Sequence, residues 1–252
     1  MHKLSRTEAD KTFVFAAAGV YTSPDFMQGV LKRIVSMLER QKGLRVAHAA
    51  LLFPYGDWGS PLLRQIREVR RDMALRGSGR FERSVGGSAI IRAIGDCTGA
   101  DRLLFIGHSG GGVASVHAAM TLLRQAGSEG EGGSWKPDIR IAQIGCPRCS
   151  IPPEMQARVR YLYAAGRSEG SSKDPICRLG SWGGWDRNGP LVVPRWNPLK
   201  HAPQKRIAIP VIGGHPDYFR DHAPYIDELG RSNLDRVADC ILDLPGWGDD
   251  GK

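Results

Sequence analysis

The sequence predicts an α/β fold, a mainly parallel sheet of about six strands with helices on both faces. Strand and helix signals alternate from end to end, with no internal repeat and no inter-domain linker between them. The apolar run Leu103-Leu104-Phe105-Ile106 leads without a break into Gly107-His108-Ser109-Gly110-Gly111 and then into a helix-forming stretch, Val113 to Met120. At 252 residues the chain is near the upper size for one α/β domain, long enough to bury roughly 70–75% of its unfolded surface.

The elements follow in order. Residues 13–17 are a short apolar run of β-formers, and residues 25–42 place Phe26, Val30, Ile34, Val35 and Leu38 at helical spacing. Residues 45–53 read as a strand closed by Pro54-Tyr55-Gly56-Asp57, and 61–75 and 88–97 as helices. Residues 103–106 form the strand before the glycine turn and 112–125 the helix after it. Gly- and Ser-rich residues 127–137 read as a surface loop. Strands at 139–144, 159–163 and 207–212 and a helix at 233–242 complete the pattern. One domain spans 1–245, within which 178–200 forms a possible insertion covering the active site; 246–252 reads as a flexible tail.

Composition is that of an ordinary globular protein, 41% hydrophobic and 24% charged. No apolar run approaches the roughly 20 residues of a membrane span. Residues 1–11 are mixed in charge and lack the apolar centre of a secretory signal, so the expected location is cytoplasmic. Five cysteines suit a reducing compartment better than a disulfide framework. Cys146-Pro147-Arg148-Cys149 has no second Cys-x-x-Cys or paired histidines to complete a zinc site, and it reads as loop cysteines. No metal and no cofactor is expected.

The net charge is +9, and its densest basic stretch holds Arg64, Arg67, Arg70, Arg71, Arg76, Arg80 and Arg83. Such a face attracts anionic surfaces. The plainer reading is a solvated helix whose arginines pair with acids three and four residues away. No stacking aromatics or nucleic-acid motif accompany the charge, so no nucleic-acid partner is expected. Oligomeric state is left open.

Strand, Gly-x-Ser-x-Gly, helix is the pattern of a nucleophile elbow. The turn is so tight that bulky neighbours of Ser109 would clash, and it aims a helix N-terminus at any oxyanion formed there. A second match, Gly166-Arg167-Ser168-Glu169-Gly170, is followed by Ser171-Ser172-Lys173-Asp174-Pro175, which cannot open a helix. Ser168 therefore reads as a loop serine.

A serine hydroxyl needs a base to take its proton, and imidazole does this best near neutral pH. Elbow enzymes order their residues Ser, then Asp or Glu, then His. Asp174 follows the strand at 159–163 and His215 follows the strand at 207–212, in Gly213-Gly214-His215. Asp186 is the rival acid and His222 the rival base, while His117 and His201 are worse placed. Asp217 and Asp221 follow the histidine and break the order. The oxyanion donors expected are the amide of Gly110 and one from Gly19 or Val20, in the turn after the first strand. Tyr21, His108, Trp182 and Trp185 are the candidates for lining the substrate site; the alternatives are that His108, pointing away from Ser109, packs or bonds locally and that the tryptophans of a packed surface loop fill the core edge.

These residues resemble a family. Gly107-His108-Ser109-Gly110-Gly111, Asp174-Pro175-Ile176-Cys177-Arg178 and His215-Pro216-Asp217-Tyr218-Phe219 are similar to the three catalytic segments of the lipase class 3 (fungal lipase-like) branch of α/β-hydrolases. The resemblance covers roughly residues 101–225. It implies a three-layer α/β-hydrolase fold and an ester-hydrolysing triad of Ser109, Asp174 and His215 acting on a small-molecule ester or lipid-like substrate. The turn Ala16-Ala17-Ala18-Gly19-Val20-Tyr21 departs from the family's Arg-Gly-Thr-like turn, so triacylglycerol specificity does not carry over. The same machinery would serve a thioesterase, a peptidase or an acyltransferase. A non-catalytic binding protein using the basic face is the reading from another class.

Overall fold

The computed structural model describes residues 10–75, 80–128, 135–186, 193–243 and 247. Its strands are β1 (Lys11–Ala17), β2 (Arg45–Leu52), β3 (Arg102–His108), β4 (Asp138–Ile144), β5 (Val159–Ala164), β6 (Gly184–Asp186), β7 (Arg195–Asn197) and β8 (Lys205–Ile209). Six of them form one sheet in the order β2-β1-β3-β4-β5-β8, and each neighbouring pair is parallel. The α/β class read from the alternating pattern is the class observed.

The helices are α1 (Gln28–Lys42), α2 (Leu62–Met73), α3 (Val85–Ile94), α4 (Gly110–Ser128), α5 (Pro153–Gln156) and α6 (Asn233–Leu242). Side chains along a strand alternate between faces, so each apolar run feeds two cores. Val14, Ala16, Leu104 and Ile106 pack with Val30, Ile34 and Leu38 of α1 and Val237 and Ile241 of α6. Phe15, Ala17, Leu103 and Phe105 pack on the other face with Val69 of α2, Ile90 of α3 and Val113 and Val116 of α4. Helices on both faces explain the unbroken apolar runs at residues 13–17 of β1 and 103–106 of β3.

Several boundaries differ from the expected ones, for identifiable reasons. The strand expected at 207–212 ends at Ile209, because Pro210 has no N–H to continue the ladder. The helix expected at 88–97 begins at Val85 and takes Gly86 and Gly87 into its first turn. Tertiary contact overrides their helix-breaking tendency here: a Cβ on Gly86 would sit 2.5 Å from the Tyr55 ring. A buried carboxylate also caps this helix from outside. Asp72 of α2 accepts hydrogen bonds from Ser84 Oγ (2.6 Å), Gly86 N–H (2.8 Å), Val85 N–H (2.9 Å) and the Tyr55 hydroxyl (2.9 Å). Removing it strands several buried donors at once. Asp72→Ala is therefore expected to cost about 2–4 kcal/mol, read as a lowered midpoint of urea unfolding; an unchanged midpoint would contradict this role.

Within the expected flexible tail, Trp247 is fully buried and its indole N–H donates to Asp138 at 2.6 Å. The rest of that tail, residues 129–134 of the expected loop, and Arg76 of the basic stretch lie outside the described residues. Among the described residues no helix is long and apolar enough to cross a membrane.

Candidate active site

Because the six main strands run parallel, their carboxyl ends share one edge. The turns after β1, β3, β4, β5 and β8 all gather there. The chain passes from β1 outward to β2 and returns on the other side of β1 as β3, which makes a topological switch point between β1 and β3. Crevices of α/β sheets lie at such points. Gly19, just past β1, and Ser109, just past β3, meet there: a Cβ on Gly19 would lie 2.6 Å from Ser109 Cβ and 3.1 Å from its Oγ.

Ser109 sits between β3 and α4 with φ 53°, a left-handed conformation that a non-glycine residue adopts only under constraint. The constraint is visible in its neighbours. A Cβ on Gly107 would fall 2.3 Å from Gly112 Cα, and one on Gly111 only 2.1 Å from the Ala17 carbonyl oxygen. The Ser109 N–H is held by the Ile144 carbonyl at 3.0 Å. Ser109 is nearly buried, 9% exposed, and Gly110 opens α4, so the Gly110 N–H is among the four that lack an intrahelical acceptor. Among the described residues the only other non-glycine at positive φ is Tyr21 (φ 50°), in the turn that carries Gly19 and Val20. Both strained residues lie in the turns at this switch point. Tyr21 itself is exposed at its rim.

Asp174 and His215, 41 positions apart, are joined by a hydrogen bond of 2.8 Å between Oδ2 and Nδ1. That leaves Nε2 as the ring nitrogen available to a serine. The Asp174 carboxylate is fully buried and also accepts from the Ile176 N–H (2.9 Å) and the Tyr218 hydroxyl (3.0 Å). Burial pushes its pKa up, but the bonds from His215, Ile176 and Tyr218 outweigh burial and hold it below the ordinary carboxylate range. A carboxyl whose folded pKa is below its unfolded value of about 3.9 contributes stability above that pH and loses it as pH falls through the folded value. Asp174→Asn is expected to remove this part of the acid-side slope when thermal unfolding is followed from neutral pH downward. A slope unchanged by the substitution would count against it.

Among the described residues, Ser109 Oγ forms no hydrogen bond to His215. The acid–imidazole link is made and the imidazole–serine link is open.

The rival residues lie elsewhere. Asp186 bonds Asn197 and Lys200 on the β6–β7 hairpin, and His222 is exposed and bonds only its neighbour Asp221. Ser168 is an exposed loop residue tied to Ser171. His117 is buried against Phe81.

Two of the substrate-lining candidates are buried in packing contacts. His108 is buried behind the imidazole: its ring stacks on His215 at 4.7 Å, and Nε2 meets the His215 carbonyl at 3.2 Å. Burial and the charge of His215 lower its pKa to about 3, so it is a neutral support. Trp182 lies in a cluster with Cys146, Tyr161 and Cys177 and packs edge-on against Tyr161 of β5. Trp185 is exposed on the β6–β7 hairpin against Trp196. Residues 187–192 of the expected covering segment lie outside the described residues.

Cys146 and Cys149 are buried free thiols whose pKa is pushed up by burial, so neither is a poised thiolate. Among the described residues no cluster of three or more His, Cys, Asp or Glu gathers as metal ligands would.

Three supporting residues were missed in the sequence. Tyr218 fixes the acid and accepts from the Ala164 N–H at 2.8 Å. Asn233 ties the His215 loop by bonds to Ile212 and Asp217. Gln65, fully buried, holds the Gly19–Tyr21 turn by accepting from the Tyr21 N–H at 2.8 Å. Only Tyr218 left a signal, the aromatic three residues after His215. Comparison with protein-family models, curated proteins and solved structures returned no match.

Proposed function

We propose that the chain is a serine hydrolase of α/β-hydrolase architecture that cleaves a carboxylic ester through an acyl-serine intermediate. The observation that carries this reading is the gathering, at one sheet edge, of a strained elbow serine and a partly exposed His215 hydrogen-bonded to the buried Asp174, in the chain order Ser, Asp, His. Ser109 Oγ attacks the ester carbonyl while His215 Nε2 takes its proton, and the buried Asp174 stabilises the imidazolium that forms. The Gly110 N–H, with a partner from Gly19 or Val20, receives the charge that develops on the carbonyl oxygen. His215 then protonates the leaving alcohol, and water attacks the acyl-serine by the reverse route. An ester panel of graded chain length tests this. The reading expects a rapid release of alcohol matching the enzyme concentration before steady turnover; absence of turnover on every ester, thioester and amide offered would sink it.

A second reading rests on α2. Leu63 is 82% exposed there, and the exposed Leu62 and Ile66 lie among the exposed Arg64, Arg67 and Arg70. Among the described residues only Arg64 forms the expected pairing along the helix, with Glu68 at 2.9 Å. This mixed apolar and basic face fits docking to an anionic lipid surface. Salt-sensitive sedimentation with anionic vesicles, unaffected by Ser109→Ala, is its expected signature.

A further inference from the structure

Beside the β5–β8 edge lies a cavity of about 280 Å³ lined by Arg148, Tyr161, Tyr163, Trp182, Leu199 and Arg206, among others. Its lining includes none of Ser109, Asp174 and His215, although Ser172 on its wall accepts a hydrogen bond from the Asp174 N–H at 3.1 Å. The wall is aromatic: Trp182 meets Tyr161 edge-on at 4.8 Å, and Tyr161 lies 6.1 Å from Tyr163. Two cations share this wall. The Arg148 guanidinium sits 5.0 Å from the Trp182 ring centre and that of Arg206 5.9 Å.

Nothing negative balances them. No carboxylate lines the cavity, and neither arginine forms an ion pair among the described residues. Burial holds the Tyr161 phenol and the Cys177 thiol in their neutral forms. Two buried donors also lack acceptors, the Trp182 indole N–H and Arg148 Nε, although Trp182 is only 6% exposed. Buried donors without partners are rare and point to a group that belongs there. Two like charges over one indole, with idle N–H groups beside them, call for an oxyanion; the flat apolar wall calls for a ring.

We propose that this cavity binds a small aryl oxyanion, an aromatic carboxylate or aryl phosphate whose charged end meets Arg148 and Arg206 and whose ring packs against Trp182 and the two tyrosines. The volume suits a single-ring ligand, being just under the usual range of about 300–1,000 Å³ for larger ligands.

Calorimetric titration of the full chain with phenyl phosphate, benzoate, inorganic phosphate and benzyl alcohol tests it. At least one aryl anion is expected to bind with Kd below about 1 mM. Benzyl alcohol and inorganic phosphate should each bind at least tenfold more weakly than that anion. The preference between phenyl phosphate and benzoate identifies the oxyanion. Arg206 is exposed, so Arg206→Gln leaves the fold intact and should weaken the aryl anion about tenfold, with Ser109→Ala leaving its affinity unchanged. Benzyl alcohol binding as tightly as the aryl anions, inorganic phosphate binding as tightly as either, an unaltered affinity in Arg206→Gln, or no aryl anion bound at 10 mM would each overturn the proposal.

Discussion

Replacing Ser109 by alanine is expected to lower ester turnover by roughly 10⁴–10⁶-fold while leaving the fold in place. The size follows from what the hydroxyl does in the proposed mechanism: without it no acyl-enzyme forms, and only the oxyanion donors and substrate binding remain to assist water. Alanine keeps the φ of 53° that serine adopts there, so neither strain nor packing changes much. Ser168→Ala is the matched control, since Ser168 lies in an exposed loop with no helix behind it, and its turnover should equal that of the wild type. Steady-state rates on one short-chain ester measure both. A variant lacking the Ser109 hydroxyl but retaining more than a tenth of the activity would remove Ser109 from the chemistry.

The second large effect is on the fold. Gly111→Ala puts a Cβ 2.1 Å from the Ala17 carbonyl oxygen and 2.7 Å from that of Ala18, and both obstacles are backbone in the central sheet or the turn that leaves it. A side chain could rotate away, but β1 cannot move without disturbing its ladders to β2 and β3. The loss is expected to reach about 3 kcal/mol or more, among the largest effects a single methyl produces. Gly127, near the other end of α4, has nothing within 4 Å of its would-be Cβ. Gly127→Ala should therefore gain about 0.5–1 kcal/mol from helix propensity. Paired urea titrations of the two variants read out opposite signs from the same substitution in the same helix.

Local and long-range information separate cleanly along this chain. Strands such as β1 and β3 were legible because burial on both faces demands a continuous apolar run, which survives as a local signal. The elbow was legible for the same reason, since its glycines answer a clash with backbone that the strand–turn–helix pattern itself brings close. Asp174 and His215 were paired from their positions after strands, and a 2.8 Å hydrogen bond joins them, whereas Asp186 and His222 bond other residues. What sequence could not show depends on partners far along the chain. Tyr218 reaches Asp174 across 44 positions, a partnership that its place near His215 only hints at, and Gln65 reaches Tyr21 across the same distance with nothing local to mark it. The start of α3 was misplaced because Gly86-Gly87 reads as a break, whereas Tyr55 and the Asp72 carboxylate make it a packed and capped first turn. Composition left Trp182 either lining the candidate site or filling the core edge, and its cluster with Tyr161 packs it against β5.

The central claim is that Ser109 is the nucleophile, and an active-site-directed fluorophosphonate reports on that most directly. After brief exposure at neutral pH, peptide mass mapping should find one phosphonyl adduct, on the peptide containing Ser109, absent in Ser109→Ala and strongly slowed in His215→Ala. Labelling on Ser168, or a wild-type protein that takes no label at all, would contradict the account.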